Sequence, residues 1–208
     1  MTTTPIRTSG TPSTPAGLGL RERKKEATRL ALHRAAVQLS IEHGFDQVTV
    51  EAIADDAQVS RRTFSNYFAN KEDAVLWTDV RRAERLVLLV AERPAGEPAW
   101  TALSGAAEQL LAERDTDPEW NRQLRLLRSH PILLARQVAT LAAAERALAE
   151  AISRRLEDDP DQDVLARLMA STLLSAVRIT LQTSVDQPER EPRELLHHLL
   201  TLAASPWA

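Results

Sequence analysis

The sequence predicts an all-α protein, and three observations carry that expectation. Alanine and leucine dominate a 208-residue chain that is 43% hydrophobic yet holds only 6 glycines, a composition that favours helix packed on helix. Apolar residues recur at three- and four-residue spacing, and strand-like alternation is absent from Leu20 onward. Prolines and glycines interrupt the chain at helix-length intervals.

Taken in order, residues 1–20 are rich in Thr, Ser, Pro and Gly and predict a disordered tail. A first helix is expected from about Arg21 to His43, stopping at Gly44. Short helices follow from Val50 to Ala57 and from Arg61 to Phe68. A long one starts near Lys71 and ends at the Pro94, Gly96, Pro98 cluster. Pro118, Pro131, Pro160 and Pro188 then divide the remainder into five segments, which makes nine helices.

Charge is unevenly placed. Residues 1–40 carry seven Lys/Arg against Glu22 and Glu26, whereas the rest of the chain is acidic within an overall net charge of −3. A basic end on an acidic body suits contact with a polyanion through one end, and equally a solvated basic tail. The chain has no cysteine, so disulfides and thiolate metal sites are excluded. The longest dense apolar run, Leu86 to Ala91, is far short of the roughly 18–20 residues of a membrane span, and the N-terminus lacks an apolar signal core. A cytoplasmic protein with no membrane partner is therefore expected.

No catalytic constellation is expected either. His197 and His198 are adjacent and point about 100° apart on a helix, so they do not form an i, i+4 metal pair. The acidic run Asp158, Asp159, Asp161 lacks the spacing and glycine of a calcium loop. Neither a metal nor another cofactor is predicted, and the chain is not expected to be an enzyme.

The informative stretch runs from Thr49 to Phe68. Thr49 has the chemistry of an N-cap. Val50, Ile53 and Ala54 give a short helix one buried stripe, Ala57-Gln58-Val59 makes a tight turn, and Ser60 caps a second helix. Phe64 and Phe68 stack on one face, which leaves Arg61, Arg62, Ser65 and Asn66 on the other. Arginine can bridge two acceptors on guanine, and asparagine can pair bidentately with adenine. On spacing alone, an ordinary helical hairpin with a solvated basic face fits equally well.

The flanking residues decide between the two. The run Ala35-Ala36-Val37-Gln38-Leu39, Glu42-His43-Gly44-Phe45, Val48 to Ala54, Val59-Ser60, Thr63-Phe64, Tyr67-Phe68 and Lys71-Glu72 resembles the N-terminal domain of the TetR/AcrR family over about residues 21–76. The resemblance implies a two-domain regulator: a helix-turn-helix DNA-binding domain over 21–75 and a ligand-binding and dimerisation domain over 76–208. It places Arg61, Arg62, Thr63 and Asn66 at DNA-facing positions beside Ser60 and Ser65, and matches Thr49, Tyr67 and Lys71 to phosphate contacts. Double-stranded DNA, as a palindromic operator, is the implied partner. Three departures stand out: Gln58 where the family usually has glycine, Ser65 where it has an aromatic, and Ser40 where a phenylalanine commonly follows Leu39.

The C-terminal half is read from its apolar faces. Leu165, Leu168, Met169, Thr172, Leu173 and Ala176 in the eighth helix, and Leu195, Leu196, Leu199 and Leu200 in the ninth, resemble the pair through which the family forms homodimers. The segment from Glu119 to Pro131 resembles the branch described as binding acyl-CoA-like ligands. On that resemblance Trp77, Trp100, Trp120 and Arg178 are candidates for a pocket taking a small lipophilic or acyl-CoA-like molecule, although each also reads as a core tryptophan or a snorkelling arginine. A ligand-released repressor is the leading expectation; an activator of the same fold and a helical binding protein without DNA function are the alternatives.

Overall fold

A computed structural model describes residues 19–114, 120–156 and 159–204. The tail expected over residues 1–20 lies outside them except for its last two residues, and Leu20 already opens the first helix. The described residues form nine α-helices and no strand: α1 (Leu20–His43), α2 (Val50–Asp56), α3 (Arg61–Ser65), α4 (Lys71–Glu92), α5 (Ala99–Arg114), α6 (Trp120–Ser129), α7 (Pro131–Ser153), α8 (Gln162–Asp186) and α9 (Pro192–Ala204).

The boundaries follow from local chemistry. Gly44 takes φ +84° and returns its amide to Ser40 O, which ends α1 in a conformation that suits glycine. Thr49, Ser60 and Asn70 each accept a backbone amide three residues on, at 2.9–3.1 Å, and so start α2, α3 and α4. Helix α3 is shorter than expected. The Asn66 amide bonds both Arg62 O and Thr63 O, and Tyr67 N bonds Phe64 O at 2.8 Å, so the chain tightens into a turn before Phe68.

Two apolar cores result, and α4 belongs to both. The first gathers Leu32, Val37, Ile53, Phe64 and Phe68 of the N-terminal helices with Ala74, Val75 and Leu76 of α4. It also takes in Leu126, Leu127 and Leu133 from α6 and α7, so the N-terminal head is seated directly on the bundle. The second joins Leu86, Leu89 and Val90, near the other end of α4, to α5, α7, α8 and α9. Arg155, in a 3-10 turn after α7, donates to the carbonyls of Arg93, Pro94, Ala95 and Glu97 and anchors the α4–α5 loop.

Helix α8 is long and apolar enough to cross a membrane by length and composition, although Arg167 and Arg178 break its apolar run. Its Ala166, Met169, Ala170, Leu173 and Ala176 face the second core, so it packs as a core helix of a bundle. The stripes expected to face a second copy are also largely internal: Met169, Leu173, Ala176, Leu196 and Leu200 lie in that same core and Leu195 is buried. Val164, Leu168, Ile179 and Leu202 are the large apolar residues that α8 and α9 leave exposed.

Gln58 is the single non-glycine residue with positive φ among the described residues, at 56°. It occupies the position just past the C-cap of α2, where Val59 N closes the turn on Ala54 O at 2.9 Å. An L-residue there is strained by about 1–2 kcal/mol, of which glycine returns part as chain entropy. Gln58→Gly is therefore expected to stabilise the protein by about 0.5–1 kcal/mol, read as a higher midpoint in thermal or urea unfolding. By contrast, Ser40 causes no orphaned polar group: it is buried, and its hydroxyl donates to Ala36 O at 2.6 Å.

Candidate nucleic-acid interface

The second helix of the motif presents the expected side chains outward. Phe64 is 1% exposed and packs 5.8 Å from Phe68, which turns one face of the segment into the core. Arg61, Arg62, Ser65 and Asn66 are exposed, and Thr63 is half-buried. The two arginines are not equivalent. Arg61 reaches Glu51 of α2 at 2.9 Å, whereas Arg62 has no ion pair among the described residues. Two hydroxyls are already engaged within the helix: Ser65 Oγ donates to Arg61 O at 3.2 Å, and Ser60 Oγ caps Thr63 N and meets Thr63 Oγ1 at 2.9 Å.

The expected phosphate contacts divide. Thr49 is exposed at the start of α2 with its hydroxyl holding Ala52 N. Tyr67 is half-buried under the Arg29 guanidinium, 5.6 Å from its ring centre, so α1 fixes its orientation. Lys71 is spent elsewhere. Its ammonium donates to Phe45 O at 2.8 Å, Val48 O at 2.9 Å and Asp46 O at 3.4 Å, and sits 4.5 Å from the Phe45 ring centre. That cation holds the turn between α1 and α2, and contact with a phosphate through it would require breaking those bonds.

The candidate ligand residues do not converge. Trp77 packs against the first core, edge-on to His33 at 5.6 Å. Trp100 packs against the second core and donates Nε1 to Leu200 O at 3.3 Å. The side chain of Trp120 lies outside the described residues. Among the described side chains, Trp77 lines an open groove of about 410 Å³ between α1, α4 and α7, and Arg178 lines a separate cavity of about 140 Å³ between α6, α7 and α8. Leu134, Val138, Leu174 and Leu181 form apolar wall there, with Arg128 and Gln137 adding polar groups.

One feature escaped sequence reasoning: a polar chain that joins this cavity to α1. Gln137 Nε2 donates to Asp79 Oδ2 at 3.2 Å, and Asp79 Oδ1 pairs with Arg82 at 3.0 Å. Arg82 also donates to Gln123 Oε1 at 3.1 Å, an acceptor shared with Thr78 Oγ1 at 2.7 Å. Thr78 Oγ1 meets His33 Nε2 at 3.3 Å, and His33 Nδ1 meets Ala74 O at 2.8 Å. Gln123 is 2% and His33 5% exposed. Burial pushes the Asp79 carboxyl above its ordinary range, a rise that Arg82 and Gln137 offset in part. The available signal was Asp79 and Arg82 falling three apart on a helix whose other faces are packed.

Two family models match the chain: the tetR family of bacterial regulatory proteins over residues 32–76, and the MftR C-terminal domain over residues 97–208. The HTH-type transcriptional regulator TcmR of Streptomyces glaucescens is 36% identical over 180 residues, which cover 83% of this chain and 79% of that protein. The chain belongs to the TetR family. It is a DNA-binding transcriptional regulator, and its family and curated relatives are regulators rather than enzymes. Solved TetR-family structures share the fold. The SmeT–triclosan complex superposes with a TM-score of 0.63 at 19% identity, covering 86% of this chain and 91% of SmeT. FadR of Bacillus subtilis in complex with stearoyl-CoA gives 0.59 at 21% identity, covering 85% and 97%.

Proposed function

We infer that this TetR-family regulator is a homodimeric repressor that reads a palindromic operator with α3 and leaves it when a small amphipathic ligand enters the α6–α8 cavity. The observation that carries the reading is the outward face of α3. Directly after the Ser60 cap, Arg61, Arg62 and Asn66 stand exposed while Phe64 and Phe68 face inward. Of these, Arg62 has the donor fork for guanine and no competing carboxylate among the described residues.

Dimerisation through α8 and α9 is supported by the apolar residues they leave exposed, Val164, Leu168, Ile179 and Leu202. A twofold pair is what half-sites one helical turn apart require. Ligand release is supported by the cavity and by Gln137, which both lines it and holds Asp79. Apolar walls with Arg178, and with Arg128 once it leaves its 2.8 Å pair with Asp186, suit an acyl chain bearing an anionic head, the class of ligand in the stearoyl-CoA complex of FadR. At about 140 Å³ the cavity is smaller than the ~300 Å³ or more of a drug-sized site, so an occupant must push α6, α7 and α8 apart. That displacement supplies the differential affinity a population shift needs.

The test is selection of bound duplexes from a random pool, followed by release assays with stearoyl-CoA and triclosan. Arg62→Ala is expected to reduce discrimination at one base pair per half-site by about 1–3 kcal/mol, roughly 5- to 150-fold, with other positions unaffected. Competition binding against single-base variants of the selected operator measures it. An unaltered preference at every position would remove Arg62 from the reading face. Tight binding of stearoyl-CoA or triclosan with undiminished operator affinity would separate ligand binding from release.

A further inference from the structure

The first three turns of α1 have no core to pack against. Leu32 is the first buried residue of that helix, and the tetR family match also begins at residue 32. Ahead of it, residues 20–31 carry Arg21, Arg23, Lys24, Lys25 and Arg29 against Glu22 and Glu26. Seven of these twelve residues are charged and none is buried, so the segment is not held by burial and its charge pattern needs another account.

That pattern has a direction. Arg21, Lys24, Lys25 and Thr28 fall at i, i+3, i+4 and i+7, hence on one stripe of α1. The same four residues form one wall of an open groove of about 740 Å³, and Thr63, Asn66 and Tyr67 form the other. Arg23 lies off the stripe and does not line the groove. Arg21 and Lys24 have no ion pair among the described residues, and Lys25 reaches Glu22 only at 3.9 Å with both side chains about half exposed. Such a pair is weak and gives way to a stronger anion. The stripe is therefore a row of available cations, continuous with the face that reads base edges.

We propose that the Arg21, Lys24, Lys25 stripe of α1 is a second DNA-contacting element, which grips the sugar–phosphate backbone flanking the groove entered by α3. The occupant follows from complementarity and continuity. A polyanion is the partner that a row of cations beside a DNA-reading helix meets when that helix docks. The arginine fork can take a phosphate bidentately, and the lysines act as point charges. The proposal rests on the recognition-helix reading above.

The discriminating experiment measures affinity for the selected operator, and for an unrelated duplex, between about 50 and 200 mM salt. Each stripe cation bound to a phosphate contributes about 0.9 to the slope of log K against log salt. Arg21→Ala, Lys24→Ala and Lys25→Ala together should lower that slope by up to about 2.7 and weaken both duplexes alike. Arg23→Ala, which removes one charge from the other side of the same helix, should leave the slope unchanged, whereas each stripe residue contributes about a third of the triple variant's effect. Alanine suits an exposed helix, so the triple variant should retain its circular dichroism. A wild-type slope in the triple variant overturns the proposal, as does an Arg23→Ala effect equal to that of each stripe residue. Arg62→Ala is measured in parallel. If it leaves base preference intact while the triple variant flattens the slope, the recognition-helix assignment fails and the backbone grip stands. If neither variant alters DNA binding, both fail.

Discussion

Phe64→Ala is expected to destabilise the N-terminal head by about 3–5 kcal/mol and to abolish operator binding. The ring is 1% exposed and packed against Phe68 in the core that also holds Ile53, Leu32 and Val37. Helix α3 is only five residues long, so its hydrogen bonds alone do not hold it in place. Removing the ring leaves a void under Arg61 and Arg62 and frees the reading face to move. The second core, built from α5, α8 and α9 with parts of α4 and α7, contains none of these residues. Unfolding followed by circular dichroism together with hydrogen exchange should show the head opening first. Phe64→Leu, which keeps most of the volume, should retain measurable operator binding. Wild-type affinity in Phe64→Ala would mean that α3 is positioned by something other than this core.

The second large effect is at the junction between the two cores. Asp79→Leu leaves Arg82, whose side chain is 16% exposed, without the carboxylate it pairs with and removes the acceptor of Gln137, and is expected to cost about 3–5 kcal/mol at neutral pH. Replacing both partners, Asp79→Leu with Arg82→Met, should restore most of that loss, because an apolar pair carries no desolvation cost. The pH dependence has a defined sign. Because burial raises the folded carboxyl above 3.8, the native state holds a proton that the unfolded chain has released across the window between those two values. Asp79 therefore adds stability as the pH falls through that window, fully present below 3.8 and lost as pH rises through the folded value. Wild-type protein should show this gain on acidification relative to Asp79→Asn, by chemical denaturation at a series of pH values. Parallel curves for the two proteins would show that the Asp79 environment does not favour the neutral acid.

The parts of this protein that were legible in its sequence are those written in short-range chemistry. Thr49 and Ser60 are caps because their hydroxyls sit three residues from the amide they accept, and Phe64 and Phe68 share a face because they are four apart. Gln58 marked its own strain, since the family's glycine at that position announces a positive φ. What stayed hidden depends on where distant segments meet. Lys71 has the chemistry of a phosphate ligand, but the chain returns Phe45 and Val48 to within 3 Å of its ammonium. Apolar residues surround so much of α8 and α9 that periodicity could not separate the face turned to their own bundle from the one left open. Trp77 and Trp100 are 23 positions apart and lie in different cores, a separation that residue type does not encode.

Helix α4 gives the arrangement a mechanical consequence. Its 22 residues form a stiff rod of about 33 Å with one end in each core. A rotation of about a tenth of a radian, pivoted where Leu89 is gripped, carries the Asn70 end through about 3 Å. Twofold symmetry would double that displacement between the two heads, while successive major grooves on one side of a duplex stay about 34 Å apart. On the proposed reading, widening of the α6–α8 cavity, which meets the rod at Asp79 through Gln137, would become a mismatch of reach between the two heads.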